Sequence, residues 1–291
     1  MISEGNSGQP VPSMWEQTKS FFIEIPFGSR LLLTVNCATF VFQFFEPEIS
    51  YSLAFNAPSI LFQHQWYRMF TSAFIHYGVL HILFNMLWVC YAGKTIEKFF
   101  GTIPFIALFM TVLVFTGIIM LILVTILQIL FGFFPFSEYN SYVGGFSGVV
   151  FAFMQILYVG IYSGTQVSLF GLHMPAKWIP LTYLIITKLI MANSSFFGHL
   201  SGMIAGQLVN SKLLRWFLPS QSCCESVDRA LNRCTQKMSS FLGTTSNVAE
   251  SEVFGPKPCL TNIFRSRGIR RIQRQEIDVA RFEELTESDK A

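Results

Sequence analysis

The stretch Gly145-Phe146-Ser147-Gly148 places a serine between glycines at the start of an apolar run, and two other stretches also place polar residues at such a start. They are His81-Ile82-Leu83-Phe84-Asn85 and Gly198-His199-Leu200-Ser201-Gly202. Polar and ionisable groups at membrane depth are costly, and by default they are candidates for function. A serine, two histidines and an asparagine at three such starts therefore indicate a hydrolytic site built within a membrane.

The composition supports a membrane protein. Of the 291 residues, 52% are hydrophobic and only 13% are charged, whereas a soluble domain carries about 25% charged residues. The net charge of +3 is too small to indicate a nucleic-acid partner. The six cysteines show no metal-ligand spacing, and no cofactor is expected.

Hydrophobic segments divide the chain into three parts. A spanning helix needs roughly 20 apolar residues, and six segments approach or exceed that length. We therefore predict an all-α membrane protein, with a cytosolic N-terminal tail (residues 1–28), a six-helix core (29–217) and a flexible cytosolic tail (218–291). The predicted spans are residues 29–45, 79–94, 104–130, 147–162, 178–192 and 197–217.

The orientation follows from the lysines and arginines near the segment ends, which favour the cytosolic side. With the N-terminus in the cytosol, only Arg68 and Lys188 fall on the opposite side. The cytosolic side then receives Lys19, Arg30, Lys94, Lys98, Lys177, Lys212 and Arg215. This orientation places His81, Ser147 and His199 together near the non-cytosolic ends of the second, fourth and sixth segments.

Ser147 is the predicted nucleophile and His199 the predicted base, because a serine hydroxyl is a weak nucleophile until a base takes its proton. The alternatives are that Ser147 only caps a helix and that His199 is a satisfied interior group. Small residues permit close helix packing in a membrane, so glycines in the sixth segment could bring it against Gly148. Those glycines are Gly198, Gly202 and Gly206.

His81 and Asn85 lie four residues apart, hence on one helical face. Side-chain donors that point at one place are what an oxyanion hole needs, and the free backbone N–H groups at the Ser147 helix start could contribute. The rival interpretation is a metal site. The sequence lacks an HExxH pattern. The second segment contains no carboxylate before Glu97, and the fourth and sixth segments contain none. We therefore predict no metal.

Together these motifs resemble those of the rhomboid intramembrane serine proteases, over roughly residues 29–217. The matching features are a Tyr67-Arg68 pair similar to the family's Trp-Arg, the HxxxN of His81 and Asn85, Glu97 after the second segment, the GxSG at 145–148, and the histidine and glycines of the sixth segment.

The resemblance implies a six-helix rhomboid bundle in which Ser147 and His199 form a catalytic dyad without a third acid. It further implies that His81 and Asn85 help Ser147 to hold the oxyanion. Phe151 stands where bacterial relatives often have tyrosine; a phenyl ring can stack on His199 but offers no hydroxyl. The residues expected to support the site are Gly145, Gly148, Phe151, Gly202, Gly206, Arg68 and Glu97.

The six-helix layout and the sequences around Ser147 and His199 look most like the endoplasmic-reticulum rhomboids. We therefore expect a multi-pass protein of the endoplasmic reticulum or another secretory-pathway membrane, with transmembrane proteins as substrates. A cytosolic partner could bind the basic segment 265–274, and Cys223 and Cys224 could be lipidated. That segment contains Arg265, Arg267, Arg270, Arg271 and Arg274.

The alternative from a different functional class is a non-catalytic, rhomboid-like scaffold that binds or escorts membrane clients. Inactive relatives typically lose the serine or the histidine. This chain keeps Ser147, His199, His81 and Asn85, which favours the enzyme.

Overall fold

Six principal helices form the framework of the computed structural model, which describes residues 25–132, 138–169 and 172–220 and the separate positions 223, 226 and 227. Each predicted segment coincides with one helix. Most of the predicted N-terminal tail lies outside the described residues. Cys224 and the basic segment 265–274 also lie outside them. The helices are α1 (Phe27–Phe45), α2 (Val79–Phe100), α3 (Thr102–Phe131), α4 (Ser147–Ile161), α5 (Ile179–Ile190) and α6 (Phe196–Asn210).

Two of the helices in the described ranges, α2 and α3, are long and apolar enough to cross a membrane on their own. The apolar helix α4 is shorter. The number of spans beyond these two stays a prediction. Both α2 and α4 contain π-helical stretches, at Val89–Gly93 and Gln155–Ile161, and such insertions are frequent near functional sites.

Two helix ends differ from the prediction. Helix α2 continues past Lys94 to Phe100, where Gly101 adopts φ +95 and allows the chain to turn directly into α3. Glu97 consequently lies in the last turns of α2 rather than after it. Helix α6 ends at Asn210 instead of Phe217, and Lys212 adopts φ +67 in the turn that follows.

A small β-hairpin lies between α4 and α5, and its two strands are the only strands among the described residues. Strand β1 (Gln166–Leu169) pairs antiparallel with β2 (Leu172–Pro175), so that Gln166 lies opposite Pro175. Four-residue strands are too short to show a clear alternation of apolar and polar residues, and the sequence analysis missed them.

The first loop (residues 46–78) folds into short helices that cover one end of the bundle. They are Ile49–Leu53, Ala57–Phe62, Arg68–Thr71 and the 3₁₀ turn Ser72–Phe74. The buried Arg68 guanidinium holds this loop together, because its Nη1 donates to the carbonyls of Tyr51 (2.6 Å) and Ala54 (2.7 Å).

The hydrophobic core lies around α4, whose residues from Gly148 to Met154 are all buried. Phe146, just before the helix, stacks on Phe109 of α3 with ring centroids 5.7 Å apart. Phe153 packs on Phe105 of α3 at 5.5 Å. Helix α4 is thus surrounded by protein, which explains why a short helix can be apolar on every face.

Glu97 joins three helix ends at the end of the bundle opposite to the first loop. Its buried carboxylate accepts hydrogen bonds from the backbone N–H groups of Gly28 (2.7 Å) and Ser29 (2.6 Å) in the first turn of α1. It also accepts from the hydroxyls of Ser29 and Thr102, both at 2.7 Å. A carboxylate is favoured there, since the first N–H groups of a helix have no partner within the helix.

Replacing Glu97 with alanine should destabilise the fold, because three buried donors and one half-buried donor would lose their acceptor. Hydrogen bonds to a charged group contribute roughly 1.5–3 kcal/mol each, so we expect the free energy of unfolding to fall by about 3 kcal/mol or more. Thermal unfolding in detergent measures the change, with the exposed Glu48→Ala as the matched control. Equal melting temperatures for the two variants would contradict the role given to Glu97.

Candidate active site

Ser147 and His199 meet where the first turns of two helices come together. Ser147 is the first residue of α4, and His199 lies in the first turn of α6. The Ser147 Oγ and His199 Nε2 atoms are 2.9 Å apart, a hydrogen-bond distance, although 52 positions separate the two residues in sequence. The His199 side chain is buried. This geometry allows a histidine to take the proton of a serine hydroxyl.

The glycines of α6 make this approach feasible. A Cβ atom added to Gly202 would collide with the backbone carbonyl of Gly148 in α4, and one added to Gly206 would lie 2.6 Å from the Ala152 carbonyl oxygen. On α4, a Cβ at Gly148 would lie 3.2 Å from the Gly198 carbonyl oxygen. The two backbones are therefore in direct contact along several turns, as the glycine spacing predicted.

The His199 ring is held by packing. Phe151, one turn after Ser147, stacks on the imidazole with ring centroids 4.4 Å apart and an interplanar angle of 24°. Within the described residues, the buried Nδ1 atom of His199 has no hydrogen-bond partner. No described carboxylate therefore orients this ring in the way that the aspartate of a catalytic triad does.

His81 lies beside the loop that leads to Ser147. Gly145 adopts φ +138, and a Cβ there would lie 2.6 Å from the His81 Nε2 atom and 3.5 Å from the Ser147 Oγ atom. Only glycine allows both this backbone conformation and this approach. The His81 ring therefore lies against the loop that leads into Ser147, and its role in holding an oxyanion stays a prediction.

Asn85 bonds its own helix, and its predicted role in holding an oxyanion stays a prediction. Its side-chain Nδ2 donates to the His81 carbonyl at 2.8 Å, within α2, and Asn85 is absent from the residues that line the cavity around Ser147. Since an amide nitrogen carries two hydrogens, one N–H remains available for another acceptor.

His76 is a further residue of the site that the sequence analysis did not select. It is buried, its ring centroid lies 5.0 Å from that of His81, and its Nε2 accepts from the Phe146 N–H at 3.4 Å. Burial, with the neighbouring His81 as a smaller cause, lowers the pKa of His76 to about 3, so the ring is neutral and can accept this bond. Its position five residues before His81 was the available signal.

A cavity of about 1390 Å³ opens over the serine. It is lined by His81, Ser147, His199 and both glycines of the serine motif, and also by Glu138 and Lys188. Arg68 and Glu97 are not among its lining residues; they act on the first loop and on the far end of the bundle. In the described ranges, no group of three His, Cys, Asp or Glu side chains could hold a metal ion.

Residues 63–216 match the family description "Rhomboid domain", which covers more than half of the chain. The chain belongs to the rhomboid family. It is accordingly a helical, integral membrane protein, and the resemblance inferred from the motifs is confirmed at the level of the family.

Three similar proteins illustrate the range of the family. Rhomboid-like protein 15 of Arabidopsis thaliana is 32% identical over 66% of this chain and 46% of its own length. Rhomboid-like protein 14, mitochondrial, of the same plant is 32% identical over 51% and 44%. The rhomboid protease GlpG of Yersinia pseudotuberculosis is 32% identical over 50% and 47%. The chain thus spans less than half the length of these relatives.

Substituting Gly202 with alanine should separate α4 from α6, since the new methyl group collides with the Gly148 carbonyl. Overpacking of this kind costs about 1–3 kcal/mol, and a displacement of about 1 Å between reacting groups can cost on the order of 10²-fold in rate. We expect a lower melting temperature and much slower labelling of Ser147 by a fluorophosphonate.

Gly78→Ala is the control for this variant, because a Cβ at Gly78 meets nothing within 4 Å. Gly78 has an extended backbone that any residue can adopt. If Gly202→Ala labelled as fast as Gly78→Ala, the close contact between the two helices would not be what positions the serine.

Proposed function

We propose that this protein is an intramembrane serine protease that hydrolyses peptide bonds in or near the transmembrane segments of other membrane proteins. The observation that carries the proposal is the 2.9 Å distance between Ser147 Oγ and His199 Nε2 at the floor of an open cavity. Membership of a family that includes the rhomboid protease GlpG supports the same activity.

In the proposed reaction, His199 Nε2 takes the proton of the Ser147 hydroxyl as the oxygen attacks the scissile carbonyl. The protonated imidazole then gives that proton to the leaving amine, and an acyl-enzyme remains on Ser147. His199 next takes a proton from the hydrolytic water as the water oxygen attacks the ester carbonyl, and returns that proton to the Ser147 Oγ as the ester bond breaks and the new carboxyl end leaves. Phe151 keeps the ring plane fixed through both steps, since the stacked rings restrict rotation about the side-chain bonds.

The oxyanion of the tetrahedral intermediate is proposed to be held by His81, Asn85 and the backbone N–H of Ser147. Support comes from the position of His81 against Gly145 and from the start of α4 at Ser147, where the first N–H groups have no acceptor within the helix. Asn85 would contribute through the N–H that its bond to the His81 carbonyl leaves over.

We further propose that the cavity opens to the non-cytosolic side, with six spans and both chain ends in the cytosol. Support comes from the distribution of lysines and arginines along the chain. The endoplasmic reticulum or another secretory-pathway membrane remains the proposed location, although one of the similar proteins is a mitochondrial rhomboid. The proposed substrates, the transmembrane segments of other proteins, are inferred from the cavity. A substrate must reach Ser147 with an extended backbone that passes glycines, and the cavity walls are mainly apolar side chains.

A non-catalytic scaffold would need neither a serine–histidine contact nor a cavity above it, so the geometry favours the enzyme over this alternative.

Ser147→Ala and His199→Ala should each abolish cleavage while leaving the fold intact, because in the described ranges the one side-chain hydrogen bond that either residue makes is the bond between them. The measurement is cleavage of a labelled single-span peptide by purified protein in detergent, together with fluorophosphonate labelling. Cleavage above background by the Ser147→Ala protein would refute the assignment of the nucleophile. A wild-type protein that neither cleaves nor labels would favour the scaffold.

Asn85→Ala should slow turnover less than Ser147→Ala does. Loss of one oxyanion donor costs on the order of 10²–10³ in rate in a soluble protease, and His81 and the Ser147 N–H would remain. The turnover number of the same peptide at saturation measures the effect. Wild-type turnover would mean that Asn85 only caps the His81 carbonyl, and turnover as low as that of Ser147→Ala would mean another role.

A further inference from the structure

We propose that Glu138 is a positioning residue for His199. Its carboxylate binds the start of α6, the helix that carries the base, and fixes this helix relative to the strap that leads into the nucleophile. The strap is the stretch 138–146, which leads into Ser147. This inference rests on the proposed protease function, and it concerns a residue that neither the motifs nor the family match singled out.

Glu138 occupies the N-terminus of α6. Its Oε1 accepts from the backbone N–H groups of Phe196 (2.7 Å) and Phe197 (3.4 Å), and its Oε2 accepts from the Ser195 hydroxyl. Ser195 Oγ in turn accepts from the Gly198 N–H at 2.8 Å. The first N–H groups of α6 are thereby satisfied by one serine and one carboxylate, and a negative charge is favoured at this end of a helix.

The strap itself is attached to the first loop at several points. Asn56 Nδ2 donates to the carbonyls of Asn140 (3.2 Å) and Ser141 (3.4 Å), and the backbones of Phe55 and Val143 exchange hydrogen bonds of 2.8 and 2.9 Å. Further along, the Gly145 N–H donates to the Ser72 carbonyl at 2.9 Å. Glu138 therefore links α6 to a segment that is already fixed in the fold.

The two ends of this link are close to the chemistry. Ser147 follows the strap directly, and His199 lies four residues after Ser195, one helical turn into α6. Glu138 also lines the cavity wall. Because the His199 Nδ1 has no partner among the described residues, the direction of the imidazole depends on the position of α6 and on the Phe151 stack.

Lys188 completes the arrangement on the other side of the same loop. Its ammonium, in the last turn of α5, donates to the carbonyls of Ala192 (2.7 Å) and Ser194 (2.9 Å), just before α6 begins. Burial raises the pKa of Glu138, while the Ser195 hydrogen bond and the Lys188 charge act in the opposite direction. The loop between α5 and α6 is thus bonded by Lys188 at two of its carbonyls and by Glu138 where α6 begins.

The experiment compares wild type, Glu138→Gln, Glu138→Ala and the exposed control Glu48→Ala in the full-length protein. The readouts are the kcat and KM for a labelled single-span peptide and the rate of fluorophosphonate labelling of Ser147. We expect Glu138→Ala to lower kcat and the labelling rate by about tenfold or more with little change in KM, since misplacing a reacting group slows chemistry rather than binding. Glu138→Gln keeps a carbonyl acceptor, so its kcat and labelling rate should lie between those of wild type and Glu138→Ala.

Ser195→Ala provides the second arm. If Glu138 acts through Ser195 and α6, the effects of Ser195→Ala and Glu138→Ala on kcat should be less than additive when combined. Should Glu138→Ala fail to fold, Glu138→Gln and its double variant carry the same comparison.

Several outcomes would overturn the proposal. They are a kcat and labelling rate of Glu138→Ala within twofold of those of Glu48→Ala, a change confined to KM, or additive effects in the double variant. A wild-type protein that labels but does not cleave would instead count against the protease function, while the labelling rates would still test the role of Glu138.

Discussion

The direct contact between the backbones of α4 and α6 is the constraint on which the rest of this structure depends. At Gly202 there is no room for a single methyl group before the Gly148 carbonyl is reached. In a membrane, helices gain little from hiding apolar surface from one another, so close packing of small residues is one of the main sources of their association. The same contact brings Ser147 and His199 to hydrogen-bond distance. Packing and chemistry therefore use the same few residues.

The two ends of the bundle are held in different ways. At one end, a single carboxylate, Glu97, which lies near the end of α2, accepts hydrogen bonds from the start of α1 and from the start of α3. At the other end, the first loop, the strap and the start of α6 are joined by bonds from several side chains to backbone groups, among them those of Arg68, Asn56 and Glu138. The end that contains Glu97 has no candidate catalytic residue. The end that contains the first loop has all of the candidate catalytic residues.

The sequence was sufficient to place the six helices and to predict both the glycine contact and the proximity of Ser147 and His199, because each of these leaves a local pattern. Partners distant in sequence leave no such pattern. Glu138 and Ser195 are 57 residues apart, and nothing near Glu138 marks it as the cap of another helix. The orientation of Asn85 was also beyond a spacing argument, since a side chain on the expected face can still bond its own helix.

The size of the cavity has a consequence for solvent. If the protein hydrolyses peptide bonds as proposed, each turnover consumes one water molecule, and hydrocarbon supplies almost none. A cavity of about 1390 Å³ is large beside the roughly 30 Å³ that one water molecule occupies in the liquid. It also presents imidazole, hydroxyl, carboxylate and ammonium groups that can bind water. The chamber can thus act as a local reservoir that hydrates buried polar side chains between turnovers. Occupancy by an apolar chain would displace much of this reservoir, so retention of a single water molecule beside Ser147 becomes a condition for release of the product.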